Sequence, residues 1–195
     1  MVHPGLAVIT TVTPNPARDV TYRVPQVRIG QSHRVEVLGT RAGGKGMNCA
    51  GVLASMETPH RALAIVGEAD REWWERDAAH RGICSEALVV AEPHRVRLST
   101  ALVHEDHEVT VLNEPGLGPP PAAWRGLVDA SVATAEALDV IAWCGSVPAQ
   151  APEAMLADAV HRGVVSGAHV VIDGSGTWLL AAVAAGPAIV TVNRQ

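Results

Sequence analysis

Phenylalanine is absent from the 195 residues, and there is a single tyrosine. The other aromatics are five tryptophans, so there is little material for the stacking platform that single-stranded nucleic acids need. Positive charge is also in short supply. Fifteen Lys and Arg against 20 Asp and Glu leave a formal net charge of -5, which argues against the basic face of a nucleic-acid binder. Cysteine is sparse: Cys49, Cys84 and Cys144 stand far apart, with no C-x-x-C and no Cys/His pair at zinc spacing. That usage fits a reducing compartment, and the three read as small buried hydrophobes. Long apolar runs are missing too. The longest, Trp178 to Val192, is shorter than the roughly 20 residues of a membrane-spanning helix, and Gly186-Pro187 interrupts it. The start, Met1 to Gly5, has neither the basic nor the apolar region of a signal peptide. These absences lead to the expectation of a soluble, cytoplasmic protein that binds neither nucleic acid nor membrane.

What is present is a globular composition, 48% hydrophobic and 18% charged, of a length that suits one domain over residues 1–195. Leu6 to Ile9, Ala62 to Val66, Val140 to Trp143, Val170 to Ile172 and Ala188 to Val192 are apolar runs of buried-strand type. Between them the sequence predicts helices from the glycines at 43–46 to about Met56, over Asp70 to His80, Pro121 to Leu138, Pro152 to about Val165, and Thr177 to Ala185. Alternating strand and helix with short links implies a parallel sheet covered by helices. Val20 to Val24, Arg34 to Leu38, Arg95 to Val103 and Glu108 to Leu112 instead alternate polar and apolar. These two groups, about 20–40 and 95–112, are expected to pair as a small separate sheet, a lid on the main one. The hairpin between the last two turns at His104-Glu105-Asp106-His107, without the usual glycine.

Arg41-Ala42-Gly43-Gly44-Lys45-Gly46-Met47-Asn48 joins a strand to a helix. Glycines there allow close backbone approach, and a helix start offers N–H groups to an anion or hydroxyl. Gly39 and Gly44-Lys45 fit G-x-x-x-x-G-K, but Gly46 stands where a P-loop needs Ser or Thr for Mg²⁺. Gly174-Ser175-Gly176 lacks the third glycine of a dinucleotide fingerprint, since Leu179 stands there. Gly145-Ser146-Val147-Pro148 is not a nucleophile elbow. His104 to Glu108 is a solvated turn rather than a metal motif, and Trp73-Trp74 is expected to be half core and half surface cover.

Several strings, in order, resemble the sugar-phosphate branch of the PfkB (ribokinase-like) carbohydrate kinases. Thr13-Pro14-Asn15-Pro16-Ala17-Arg18-Asp19 is similar to its N-P-A-x-D opening, Gly43 to Asn48 to its G-G-K-G-x-N, and Asn113-Glu114-Pro115-Gly116 to its N-E-P-G. Cys144 to Pro148 resembles S-G-S-L-P, Asp173 to Gly176 resembles D-x-S-G, and Val192-Asn193 resembles the start of K-P-N-x-x-E. The resemblance implies a doubly wound α/β/α sheet, incomplete here, with a small β lid. It implies ATP-dependent, Mg²⁺-assisted phosphorylation of a ketohexose phosphate, fructose 1-phosphate first and tagatose 6-phosphate second, and a homodimer through the lid. By the same resemblance Asp19 accepts sugar hydroxyls, and Gly43, Gly44 and Asn48 hold the sugar. Arg34 and Arg97, on lid strands, bind the phosphate, with Arg95 the alternative to Arg97. Lys45 adds charge, Ser146 lies on the substrate side, and Asn193 lies near Mg²⁺ and the nucleotide phosphates.

The chain departs from the pattern at several points. Thr191-Val192 stand for Lys-Pro, Glu57 and Glu68 for glycines, Ser99 for an Asn and Gly51 for an Arg. The 195 residues stop before the Glu of N-x-x-E and before the G-A-G-D segment that carries the family's catalytic Asp. No catalytic residue is therefore expected among them. The second reading is a phosphosugar-binding or partner-binding protein without turnover.

Overall fold

The computed structural model describes residues 7–152 and 154–192. Its main sheet has six parallel strands, in the order β10-β9-β8-β1-β4-β5. They are β1 (Ile9–Thr13), β4 (His60–Gly67), β5 (Ser85–Val90), β8 (Val140–Cys144), β9 (His169–Gly174) and β10 (Ile189–Val192). Five helices connect them: α1 (Lys45–Ser55), α2 (Glu68–His80), α3 (Pro121–Val132), α4 (Met155–Val165) and α5 (Gly176–Ala184). This is the expected α/β class.

The two sides of the sheet differ in volume. Along β4, Leu63 and Ile65 point into a core shared with Val12, Trp124, Leu127, Met155 and Leu156. Ala62, Ala64 and Val66 point the other way, against Met47 and Ala50 of α1 and Trp74 and Ala78 of α2. That is the two-residue period of a strand buried on both faces. Burying a Leu or Ile side chain contributes about 1.5–3 kcal/mol, so the large-residue side carries most of the stabilisation. The alanine side lets α1 and its glycine loop sit close to the strands.

The second sheet contains β2 (Ala17–Arg23), β3 (Glu36–Gly43), β6 (Arg97–Val103) and β7 (Val109–Asn113), in the order β3-β2-β6-β7. Its outer pairs are antiparallel and its central pair, β2 with β6, is parallel. This is the separate lid sheet anticipated from alternation. In its hairpin, His107 takes the left-handed φ of 69° that a glycine would ordinarily supply.

Some boundaries differ from expectation. The first strand is Ile9–Thr13 rather than Leu6 to Ile9, because Thr10, Thr11 and Thr13 are buried. β-branched threonine packs well on a pleated surface, and Thr11 Oγ1 donates to the Arg61 carbonyl at 3.4 Å. Strand β5 was not anticipated; its residues are half-buried at a sheet edge and give no clear alternation. Helix α3 ends at Val132 rather than Leu138, where the backbone turns left-handed (φ 79°), and α4 begins at Met155 rather than Pro152. Arg34 is not on a strand; it lies in the exposed loop before β3. Cys84 is exposed, and Cys49 and Cys144 are half-buried, so burial is not what unites the cysteines. Trp74 is fully buried and Trp73 is not, as their pairing on a charged helix suggested.

Candidate functional site

From β1 the chain moves outward to β4 and β5 and then returns to β8 on the other side. The sheet therefore has a switch point between β1 and β8, and ligands in open α/β sheets bind beyond the carboxyl ends of strands at such a point. A cleft of about 1210 Å³ lies there. Cys144 to Val147 after β8 and Gly174 to Thr177 after β9 line it from the body, Lys45 from the start of α1, and Arg97, Asn113 and Glu114 from the lid.

Asn15, just past β1, ties these parts together. It is buried, and its Nδ2 donates to the Pro115 carbonyl at 3.0 Å and to Ser146 Oγ at 3.1 Å. Its own carbonyl accepts from Arg97 Nε at 3.4 Å. The N-P-A-x-D, N-E-P-G and Cys144–Pro148 strings thus meet at one side chain.

Arg97 opens β6. Its Nη1 donates to Asn113 Oδ1 at 2.9 Å and to the Glu114 carbonyl at 3.4 Å. Burial pulls its pKa below the usual guanidinium value, with Asp19 and Glu114 pulling the other way, and it stays charged at neutral pH. Across the lid, Asp19 is half-buried on β2, and burial raises its carboxyl above the ordinary value of 3.8. Arg41, Arg97 and a hydrogen bond with Ser99 oppose that rise without cancelling it. The result is a desolvated acceptor beside a fixed guanidinium, a pairing suited to a polyol that carries a phosphate.

The glycines are required by this arrangement. A Cβ on Gly43 would overlap the Asp19 carboxylate. Gly44 has a φ of 104°, and a Cβ there would overlap the Thr13 side chain. Gly44 caps α1 and makes no side-chain bond to the first turn, which leaves the first N–H groups without a side-chain cap.

The remaining anticipated residues are spread out. Ser146 lines the cleft. Lys45 also lines it, but its Nζ is engaged by Asp173 Oδ2 at 2.7 Å, which lowers its value as a free positive charge. Asn48 is exposed one turn further along α1. Arg34 is exposed and does not line the cleft; nor does Arg95, which faces Glu92 at 3.9 Å. Asn193 lies outside the described residues. Asn15, Asn113, Glu114 and Asp173 were not singled out as site residues by the sequence, although each sits inside a string that was. At the cleft floor the Cys144 thiol is pushed up to about 12, chiefly by burial, so it is not a nucleophile at neutral pH. Among the described residues no group of three or more His, Cys, Asp or Glu could hold a metal ion, and no helix is long and apolar enough to cross a membrane.

Comparison with known proteins places this geometry in context. The chain is 34% identical over 177 residues to a 1-phosphofructokinase of Xanthomonas campestris, covering 91% of this chain and 55% of that one. It is 28% identical over 187 residues to a 1-phosphofructokinase of Escherichia coli, covering 96% and 59%. The chain thus spans somewhat more than half the length of these relatives. The fold matches phosphofructokinase-2 from Escherichia coli in complex with fructose-6-phosphate, with a TM-score of 0.85 at 22% identity over 93% of this chain and 59% of that one. A possible 1-phosphofructokinase from Thermotoga maritima matches with a TM-score of 0.80 at 19% identity, over 95% and 60%. Residues 9–195 match the model of the pfkB family carbohydrate kinases, and the chain belongs to that family.

Proposed function

We propose that this chain forms the phosphosugar-binding part of a kinase that transfers the terminal phosphoryl group of ATP to a ketohexose phosphate. Fructose 1-phosphate is the first choice of substrate and tagatose 6-phosphate the second. The observation that carries the reading is Arg97: three lid and loop residues hold its guanidinium at the cleft, beside a desolvated Asp19 and opposite the uncapped start of α1. The names of the curated relatives support the same substrate class.

The roles follow from the chemistry. Arg97 binds the phosphate already on the sugar, with a charge-assisted geometry that Lys could not reproduce. Asp19 and the Gly43–Gly44 backbone fix the hydroxyls, and Ser146 borders the same space. In the transfer, the sugar hydroxyl oxygen bonds to the terminal phosphorus while the bond to the bridging oxygen of ATP breaks, and the hydroxyl proton passes to a base. Positioning is the main contribution of these residues. Glu114 and Asp173, which line or border the cleft, are engaged: Glu114 accepts the Leu98 N–H at 2.8 Å, and Asp173 is held by Lys45 and Thr191. Asp19 is assigned to holding the sugar hydroxyls rather than to proton transfer. Mg²⁺ would supply positive charge to the nucleotide phosphates, and among the described residues no group of three or more His, Cys, Asp or Glu could hold it.

This favours binding without turnover by the 195 residues alone. Calorimetric titration with fructose 1-phosphate should show saturable binding that Arg97→Ala abolishes, while ADP release with ATP stays at background. No binding of either phosphosugar would overturn the reading, and ADP release would show a base within this chain. The lid also exposes Val37 and Leu38 on β3 and Val109, Val111 and Leu112 on β7. Val109 and Val111 share one face of β7, which a second lid would cover, and light scattering on a size-exclusion column should give twice the chain mass. A monomer would remove the dimer from the proposal.

A further inference from the structure

Helix α2 touches no part of the cleft, yet one of its faces is polar where a core-facing helix is expected to be apolar. Asp70, Trp74, Asp77, Ala78 and Arg81 recur at helical spacing on the side turned inward. Trp74 and Ala78 pack in the alanine-lined core. The charged members between them grip the roots of the lid. Asp70 is only 7% exposed and uses both carboxylate oxygens: Oδ1 accepts from Arg18 Nη2 and Oδ2 from the Val96 N–H, each at 3.0 Å. Asp77 Oδ2 accepts the Ala42 N–H at 2.9 Å, and Arg81 Nη1 donates to the Ala42 carbonyl at 2.7 Å. Asp77 and Arg81 also pair with each other at 3.4 Å. The ring of Trp73 lies under the Arg18 guanidinium, 4.1 Å from its centre.

The gripped residues form a pattern. Arg18 is on β2, Ala42 is its cross-strand partner on β3, and Val96 leads into β6 two residues before Leu98, the β6 partner of Arg18, so the contacts reach three adjacent lid strands at the same end of the sheet. Each gripped residue immediately precedes a residue of the candidate site: Asp19, Gly43 and Arg97. In extended backbone, neighbouring residues point to opposite faces, so fixing one sets the placement of the next. A buried carboxylate carries a desolvation penalty that only full pairing offsets, and an apolar residue in place of Asp70 would avoid it. Its presence here is explained by position rather than by stability.

We propose that α2 is a positioning element for the site. Asp70, Asp77 and Arg81 lock the lid roots so that Asp19, the Gly43 turn and the Arg97 guanidinium stand in register around one ligand. None of the three touches that ligand. This rests on the phosphosugar reading of the site, and the experiment separates the two.

Fructose 1-phosphate is titrated into the full chain and its Asp70→Ala, Asp77→Ala, Asp70→Asn, Arg97→Ala and Glu72→Ala variants. Glu72 lies on the solvent side of α2 and serves as the control. Misplacement of binding groups by about an ångström costs on the order of 10- to 100-fold, and that is the expected loss in affinity for Asp70→Ala and Asp77→Ala. Asp70→Asn should recover part of it, since its amide oxygen can still accept the Val96 N–H. Glu72→Ala should bind like the parent. In parallel, hydrogen exchange without ligand should show faster exchange at Val96 in Asp70→Ala and at Ala42 in Asp77→Ala, with Leu63 and Ile65 of β4 unchanged. Unaltered affinity in both alanine variants, while Arg97→Ala abolishes binding, would overturn the proposal and leave the phosphosugar reading intact. If the parent chain binds no phosphosugar, the phosphosugar reading fails and the exchange data decide the clamp: unchanged rates at Val96 and Ala42 overturn it. A variant that unfolds globally, seen as lost protection at Leu63 and Ile65, is replaced by its Asn counterpart, for which the same two outcomes apply.

Discussion

The body and the lid are both sheets, but they are held together in different ways. In the body, β1, β4, β8 and β9 lie between helices, and Val12, Leu63, Ile65, Ile141 and Ile172 are sealed from solvent. In the lid, β3 is exposed over Glu36 to Arg41, and β7 is exposed along its whole length. Body stability therefore comes from area removed from water, spread over dozens of side chains. The lid has ladder hydrogen bonds and a few polar anchors at its roots. A region held this way opens at lower free energy than the core it is attached to, which is typical of segments that must admit a ligand.

The contrast can be broken most severely from the body side. Trp124→Ala, in the large-residue core, should cost about 3–5 kcal/mol, whereas Val111→Ala on β7 should stay within about 0.5 kcal/mol. Urea unfolding of the two variants tests this, and equal losses would show that the lid has a core of its own. Next in size is the effect on ligand. Arg97→Ala should abolish measurable fructose 1-phosphate binding, since each hydrogen bond to a charged group is worth roughly 1.5–3 kcal/mol and the guanidinium would make several to a phosphate. Arg95→Ala should change it by less than about twofold, as expected of an exposed ion-pair partner. The reverse ranking, read by calorimetry, would move the phosphate site along β6.

Asp19 gives a pH-dependent test. Its carboxyl is raised in the folded state, so between 3.8 and that raised value the native chain holds more protons than the unfolded one. Stability from this group thus falls as pH rises through that window, and the ionised form is a cost at pH 7. Asp19→Asn should raise the melting temperature at pH 7 and lose that gain at pH 3, while weakening sugar binding at both. A lower melting temperature at pH 7 would show that Arg41 and Arg97 outweigh burial.

The smallest predicted effect lies at the end of α1. Glu57 takes a left-handed φ of 54°, with the Glu57 N–H bonded to the Ala54 carbonyl and the Thr58 N–H to the Leu53 carbonyl, a Schellman cap that favours glycine. Glu57→Gly should stabilise the chain by about 0.5–1 kcal/mol, read as a higher urea midpoint with unchanged slope. No gain would mean that the unfolded-state entropy of glycine cancels the relief of strain.

Much of this was legible in the sequence. The apolar runs marked most of the body strands, period-two alternation separated off the lid, and the absence of a hydroxyl residue after Lys45 argued against a P-loop. Glu57 stood out as a misplaced non-glycine, and the structure shows the backbone conformation that makes it so. What was missed has a common cause. Asn15 is a hub because its side chain meets Pro115, 100 positions away, and no local pattern reports such a contact. The polar face of α2 reads as an ordinary charged helix until its partners are known. Arg34 was placed on a strand because alternation appeared to begin there, but regular pairing starts only at Glu36. Lys45 looked free in the string, while its partner Asp173 lies 128 residues on.

The parallel pairing of β2 with β6 has a consequence for the order of assembly. Parallel neighbours cannot be joined by a tight turn, and here Arg97 reaches the Asn15 carbonyl 82 positions away. Everything between, including α1, β4, α2 and β5, belongs mostly to the body. A chain leaving the ribosome carries β2 and β3 as an orphan hairpin until β6 emerges. The loop-closure entropy for bringing β6 back is reduced only once the body has folded and shortened the path. The lid is thus a late structure in the life of each molecule, and the pocket it completes cannot exist before the platform beneath it.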